Sequence, residues 1–102
     1  MDNVSGRPLA EPAFEWKDHS RFVNIYLVER GWLVVWGKYE DLGTRKLVYG
    51  HQIYRDLDGV KRRVTTAIIE LTANPSLVHD ALALLARQGL PPHRPQDLPA
   101  TL

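Results

Sequence analysis

The sequence predicts an α+β domain, an antiparallel β-meander of three to four strands with one C-terminal α-helix packed on a face. Runs of β-branched and aromatic residues fill residues 21–54, and short loops with Gly31 and Gly43 separate them. Such runs are typical of strands joined by hairpins. A single leucine-rich helical pattern follows near the C-terminus. Because a leucine face must be buried, we expect this helix to pack on the sheet.

Three strands follow from the local sequence. We place the first at residues 21–28 and the second at residues 32–39. Both segments are dense in residues that favour strands. The third strand begins near Arg45 and continues through Ile53. Gly50 interrupts it, which predicts a β-bulge or a close approach of the backbone.

Two periodicities compete in residues 53–71. Apolar residues spaced three and four apart favour one face of a helix. By contrast, Asp58-Gly59 is a strong hairpin-turn signal, and the β-branched run at residues 64–69 suits a pleated strand. We therefore predict a fourth strand over residues 60–71. The competing helical set consists of Ile53, Leu57, Val60, Val64, Ala67 or Ile68, and Leu71.

The C-terminal helix is the clearest element of the sequence. Asn74 is a good N-cap, and Pro75 occupies the first helical position, where its missing N–H costs nothing. Gly89 ends the helix, because glycine readily adopts the left-handed conformation found after the last turn. The apolar face comprises Leu77, Val78, Ala81, Leu82, Leu84 and Leu85.

The length of 102 residues allows one domain, which we place at residues 14–90. We expect residues 1–13 to form a flexible N-terminal segment and residues 91–102 a flexible, proline-rich tail. The core that remains is small, and small cores are often supplemented by association. This predicts a homo-oligomer or a complex with a protein partner.

Composition excludes several classes of protein. Thirteen basic and twelve acidic residues give a net charge of +1, far from the excess that a dedicated nucleic-acid domain carries. The chain has no cysteine, so disulfides and thiolate zinc sites are excluded. No apolar run is long enough for a membrane span, and the N-terminus lacks a signal-peptide core. We therefore expect a cytoplasmic protein that makes no membrane contact.

The sequence offers no catalytic, metal or cofactor motif, and we expect a protein that is not an enzyme. Residues 56–59 superficially resemble a calcium loop, but the alignment puts Tyr54 and Thr65 where carboxylate ligands are required. The glycine spacing does not fit a phosphate-binding loop. The histidines are too widely spaced for a local metal pattern, at His19, His51, His79 and His93.

Both faces of the predicted sheet are apolar. Strand alternation puts Trp32 and Trp36 on one face and Leu33 and Val35 on the other. One helix covers about one face, so the other face needs a different cover. We therefore predict a small non-enzymatic protein-interaction module that self-associates through its apolar sheet face or an open edge strand. The candidate contact residues are Tyr26, Trp32, Trp36 and Tyr49.

Two alternative functions stay open. A nucleic-acid-binding domain would use the basic hairpin predicted around residues 61–63 together with nearby cations. Its candidate contacts are Arg45, Lys46, Arg55, Lys61, Arg62 and Arg63. A small-molecule-binding domain would need a pocket between sheet and helix with converging polar groups. Its candidate residues are Tyr49, His51 and Tyr54.

One short resemblance bears on the nucleic-acid alternative. Gly31-Trp32, followed by Trp36-Gly37-Lys38 and Gly43, is similar to the Trp-Gly-Arg element of WGR domains. That family is associated with nucleic-acid-dependent enzymes, and the resemblance implies such a setting. Lys38 stands where the family has arginine, and Glu40 where it has glycine. A core tryptophan beside a strand glycine explains the same residues without the resemblance.

Overall fold

A computed structural model describes residues 11–92 of the protein. Four strands form one antiparallel sheet in the order β1-β2-β3-β4, and two helices follow. The α+β meander is therefore confirmed, with two helices where the sequence predicted one. The elements are β1 Phe14–Asp18, β2 Arg21–Val28, β3 Gly31–Glu40, a 3₁₀ turn at Asp41–Gly43, β4 Arg45–Tyr54, α1 Leu57–Thr72 and α2 Pro75–Gln88.

The central hairpin forms where the sequence predicted it. β2 pairs with β3 along the whole length of β2, from Arg21 opposite Lys38 to Val28 opposite Gly31. Gly31 has a φ of +145°, and a Cβ there would collide with the Tyr54 carbonyl of β4. The start of β3 therefore requires glycine both for its backbone conformation and for its contact with β4.

The predicted strand at residues 60–71 is wrong, because these residues belong to α1. The side chain of Asp56 caps the helix and accepts a hydrogen bond of 2.5 Å from the Gly59 backbone. The Asp-x-Asp-Gly segment thus starts a helix where the sequence suggested a hairpin turn. Thr65 and Thr66 fit the helix by donating their hydroxyl protons to the carbonyls four residues earlier.

The second helix matches its prediction. Asn74 caps α2 with its side-chain oxygen on the Ser76 N–H, and Pro75 occupies the first helical position. Gly89 has a φ of +72°, and its N–H donates to the Leu85 carbonyl at 2.8 Å. α2 is therefore closed at both ends by the residue types that the sequence signals.

One hydrophobic core lies between the sheet and the two helices. α1 packs under β2, β3 and β4, while α2 packs on α1 and β1. The sheet surface toward the helices is named the helix face, and the opposite surface the second face. Core residues of the helix face are Phe14, Trp16, Val23, Ile25, Trp32, Val34 and Trp36. The helices contribute Val60, Val64, Ala67, Ile68, Ala81 and Leu85.

The expected flexible ends, residues 1–13 and 91–102, lie largely outside the described residues. Two of their described members contact the domain. The Ala13 N–H bonds to the Ile25 carbonyl at 2.7 Å, and the Pro91 carbonyl accepts the indole N–H of Trp32 at 3.0 Å. Among the described residues, no helix combines the length and apolarity needed to cross a membrane.

Candidate interaction surface

Three of the four aromatic residues predicted as contacts are buried within the monomer. Trp32, Trp36 and Tyr26 each expose 9% of their surface or less. Trp36 fits because Gly50 lies opposite it on β4, where any Cβ would collide with the indole ring. Tyr49, in contrast, is 54% exposed. Of the predicted contacts, only Tyr49 presents a large surface to another molecule.

Arg63 completes the cover over Trp36. Its guanidinium carbon lies 4.0 Å from the centre of the indole ring, and the guanidinium also pairs with Glu70 at 3.2 Å. An arginine over a tryptophan ring is a favourable cation–π contact. α1 thus closes the helix face with a charged side chain that belongs to the packing of the fold.

The second face is covered at one end by lysine side chains. The rings of Phe22 and Tyr39 lie 4.9 Å apart on this face. Lys17 of β1 lies 5.0 Å from the Tyr39 ring centre, and Lys46 of β4 lies 5.6 Å from that of Phe22. Long lysine stems can cover apolar surface while their charges stay in water. Toward the other end of the face, Leu33 and Val35 are half-buried.

β4 carries the main exposed apolar surface of the described residues. Within residues 11–92 this strand is a sheet edge, since β3 is the one strand there that pairs with it. Half of the large exposed apolar side chains among residues 11–92 belong to it. No lysine, arginine, aspartate or glutamate lies between Lys46 and Arg55. The exposed apolar residues of the strand are Leu47, Val48, Tyr49 and Ile53, each at least 43% exposed.

A β-bulge divides β4 near its middle. Trp36 pairs with Gly50 and Gly37 pairs with Val48, so Tyr49 is an extra residue relative to β3. Gly37 makes the bulge possible, because a Cβ there would collide with the Leu47 carbonyl. The sequence signalled this irregularity through Gly50. It did not identify Leu47, Val48 and Ile53 as surface residues, although the uncharged stretch between Lys46 and Arg55 was a usable signal.

The six basic residues of the nucleic-acid alternative are spread over both sheet faces and α1. Lys46 lies on the second face against Phe22, whereas Arg63 lies on the helix face against Trp36. Arg45 forms ion pairs with Glu40 at 2.9 Å and Asp41 at 3.6 Å. The remaining three are Arg55, between β4 and α1, and Lys61 and Arg62 on α1. The hairpin that was expected to present residues 61–63 is replaced by a helix.

The residues of the small-molecule alternative do not converge either. His51 pairs with Val35 of the second face, and Tyr54 pairs with Trp32 of the helix face, so their side chains project from opposite sides of the sheet. An open surface pocket of about 310 Å³ lies away from these residues, beside the opposite edge strand β1 and Gln88. Among residues 11–92, no cluster of histidine and carboxylate side chains is suited to hold a metal ion.

These features define a class of fold and surface, an α+β meander with helices on one face and an apolar, uncharged edge strand. Comparisons with protein-family models, curated proteins and solved structures find no match to this chain. Trp36 and Gly37, which carried the similarity to WGR domains, have structural explanations in the core and at the bulge.

Proposed function

We propose that this protein is a non-enzymatic protein-interaction module that accepts a polypeptide strand along the outer side of β4. The outer side of Arg45–Tyr54 is named the β4 edge. The observation that carries the proposal is the exposed, uncharged apolar stretch at residues 47–54. An edge strand has backbone N–H and C=O groups available to pair with a further strand.

The length of β4 favours a specific interaction. Ten residues in extended conformation span about 34 Å, which is long for an edge strand. Backbone hydrogen bonds along such a strand supply affinity, and side chains on alternate faces supply specificity. Apolar side chains next to the paired edge add the desolvated contacts that dominate binding energy.

Self-association is the form of this interaction that can be tested with the protein alone. Light scattering across micromolar to millimolar concentrations should show a mass that rises from one to two chains. Val48→Lys places a charge on the exposed edge, and we expect it to weaken association by about tenfold or more. Folding should be nearly unchanged, because Val48 is 46% exposed.

Ile69→Lys provides a matched control. Ile69 is 42% exposed and belongs to α1, not to β4. The substitution adds the same charge and removes a similar exposed apolar side chain, so association should remain as in the unmodified protein. A monomer at all concentrations, or equal loss of association in both variants, would contradict a role for the β4 edge.

A further inference from the structure

The bulge changes the pattern of side chains along β4. β3 residues with even numbers face the helices, as Trp32, Val34 and Trp36 do. Their partners on β4 share that face, because directly opposed residues lie on the same side of a sheet. The helix-face residues of β4 are therefore Arg45, Leu47, Gly50, Gln52 and Tyr54. Its second-face residues are Lys46, Val48, His51 and Ile53.

This order of faces is the same when β4 is followed from either end. Arg45 and Tyr54 both lie on the helix face, although nine residues apart they would lie on opposite faces in a regular strand. The extra residue Tyr49 shifts the alternation by one position, so that both ends of β4 lie on the same face. The centre of this palindrome lies between Tyr49 and Gly50. The same-face pairs are Arg45 with Tyr54, Lys46 with Ile53, Leu47 with Gln52 and Val48 with His51.

A second copy of this chain fits the β4 edge better than a regular strand does. A bulged strand has one residue too many for a regular partner, which disrupts the ladder at that point. Two copies in antiparallel orientation carry their extra residues at the same place, with Tyr49 of one beside Gly50 of the other. No residue of either strand then lacks an opposite residue, and the paired side chains of each same-face pair lie on one side of the combined sheet.

The charges of β4 favour the same arrangement. Arg45 and Lys46 stand at one end of the strand, and the other end is uncharged up to Arg55. An antiparallel pair places the cations of the two copies at opposite ends, facing Tyr54 and Ile53. A parallel pair would bring four cations together, and like charges directly opposite each other destabilise a sheet.

The alignment also reaches an unusual residue at the hairpin tip. Leu42 is fully exposed and has a φ of +59°, a conformation that leucine rarely adopts. Because Arg45 of one copy lies opposite Tyr54 of the other, the tip with Leu42 stands at the end of the pair where the partner's α1 begins with Leu57, which is 42% exposed. Contact between these two leucines would remove both from water.

We propose that β4 pairs with β4 of a second copy of this chain, antiparallel and centred between Tyr49 and Gly50. This inference rests on the proposed function of the β4 edge and names its partner. The two sheets become one sheet of eight strands, with a two-fold axis perpendicular to it. The helices of both copies lie on one side, and the two second faces form one continuous surface.

Disulfide cross-linking tests the alignment, since the chain has no cysteine of its own. Val48→Cys and His51→Cys variants are purified separately, mixed and oxidised. Directly opposed residues of an antiparallel pair have Cα atoms about 4.5–5.5 Å apart, which suits a disulfide. The matched control mixes Val48→Cys with Gln52→Cys, whose side chains leave opposite faces. We expect cross-linked dimer to form about tenfold faster in the first mixture than in the control.

The outcomes separate this inference from the proposed function. Equal rates in the two mixtures, or faster cross-linking of Val48→Cys with itself, whose two copies the alignment sets three residues out of register, overturn the alignment. If light scattering then still shows dimers that Val48→Lys weakens, the β4 edge retains its function with another register. If the protein is monomeric at every concentration and neither mixture cross-links, both the β4–β4 dimer and self-association through the β4 edge are rejected.

Discussion

The two edge strands of the sheet differ in length, charge and exposed apolar surface. β1 has five residues, of which Glu15, Lys17 and Asp18 are charged, and its two aromatic residues are buried against the helices. β4 has ten residues, and its uncharged stretch exposes four large apolar side chains. Short length and charged residues are common ways to prevent an edge from pairing with other chains. By these criteria β1 is protected and β4 is open.

Within this small sheet, the residues that form the core differ from those that are exposed to a partner. Aromatic residues are frequent in both cores and interfaces. Here Trp16, Trp32 and Trp36 are buried in the core, since each exposes 9% or less of its surface. The proposed interaction surface consists of aliphatic residues and one tyrosine, all exposed on β4. The edge, and not the tryptophan content, is therefore the feature that defines the candidate site.

The largest effect is expected from Gly37→Ala, which should disrupt the bulge of β4. The new Cβ would collide with the Leu47 carbonyl, a backbone atom that cannot move away alone. We expect a loss of about 2–4 kcal/mol in the free energy of unfolding, together with loss of self-association. Urea denaturation and light scattering measure the two effects.

Gly43→Ala is the control for the bulge. Gly43 has a φ of +91°, but a Cβ added there would meet no atom within 4 Å, so alanine suffers backbone strain without a collision. We expect a cost of about 1 kcal/mol and unchanged association. An equal loss of stability in both variants would show that the close approach at Gly37 is unimportant.

The second prediction concerns a variant in which β1 loses the charges that protect it from pairing. Glu15→Val combined with Lys17→Val removes two charges from β1, both exposed on the second face. With two open edges, each chain can pair on both sides, so assemblies larger than dimers should form as concentration rises. Analytical ultracentrifugation measures their size. Asp80→Val with Arg87→Val on exposed positions of α2 controls for added hydrophobicity, and large assemblies in that variant would contradict the role of β1.

The third prediction concerns the helix that follows β4. Asp56→Ala removes the side chain that caps α1 and should cost about 1 kcal/mol of stability. Asp58→Ala, in the first turn of the same helix, removes only a favourable charge near the helix N-terminus and should cost less. Urea denaturation of both variants measures the difference. Equal effects would mean that the Gly59 N–H does not depend on the Asp56 carboxylate.

The smallest effect is expected at the charged end of β4. Arg45 is 67% exposed at its side chain and pairs with Glu40 and Asp41. Exposed ion pairs contribute little, so Arg45→Gln should change stability by at most about 0.5 kcal/mol. Since the antiparallel alignment places Arg45 opposite uncharged Tyr54, association should change little as well. A large gain in dimer affinity would indicate that cations of the two copies lie together.

The sequence predicted β2, β3, β4 and α2 well because their signals are local, but it missed β1 at Phe14–Asp18. Turn glycines, N-cap and proline positions act over a few residues, and these placed β2, β3, β4 and α2. The error at residues 60–71 arose because β-branched residues and Asp58-Gly59 were weighed above helical spacing. In the fold, Val60, Val64 and Ile68 gain burial only as one helical face, and that tertiary packing outweighs local strand preference.

The candidate site was only partly visible in the sequence. An open edge strand was predicted in general terms, and Tyr49 was among the predicted contacts. Which tryptophans are buried depends on the cover supplied by α1, Arg63 and Gly50, and these contacts are distant in sequence. The pairing pattern of β4 depends on the register shift at Gly37. Neither feature follows from composition or periodicity.

Pairing at the β4 edge is best measured by amide hydrogen exchange, compared between β4 and β1 at increasing protein concentration. Pairing at the β4 edge protects backbone N–H groups that otherwise contact water. Such pairing predicts that exchange in Arg45–Tyr54 slows by about tenfold or more as dimers form, while exchange in Phe14–Asp18 stays constant. Exchange that is independent of concentration in β4, or that slows equally in both strands, would contradict it.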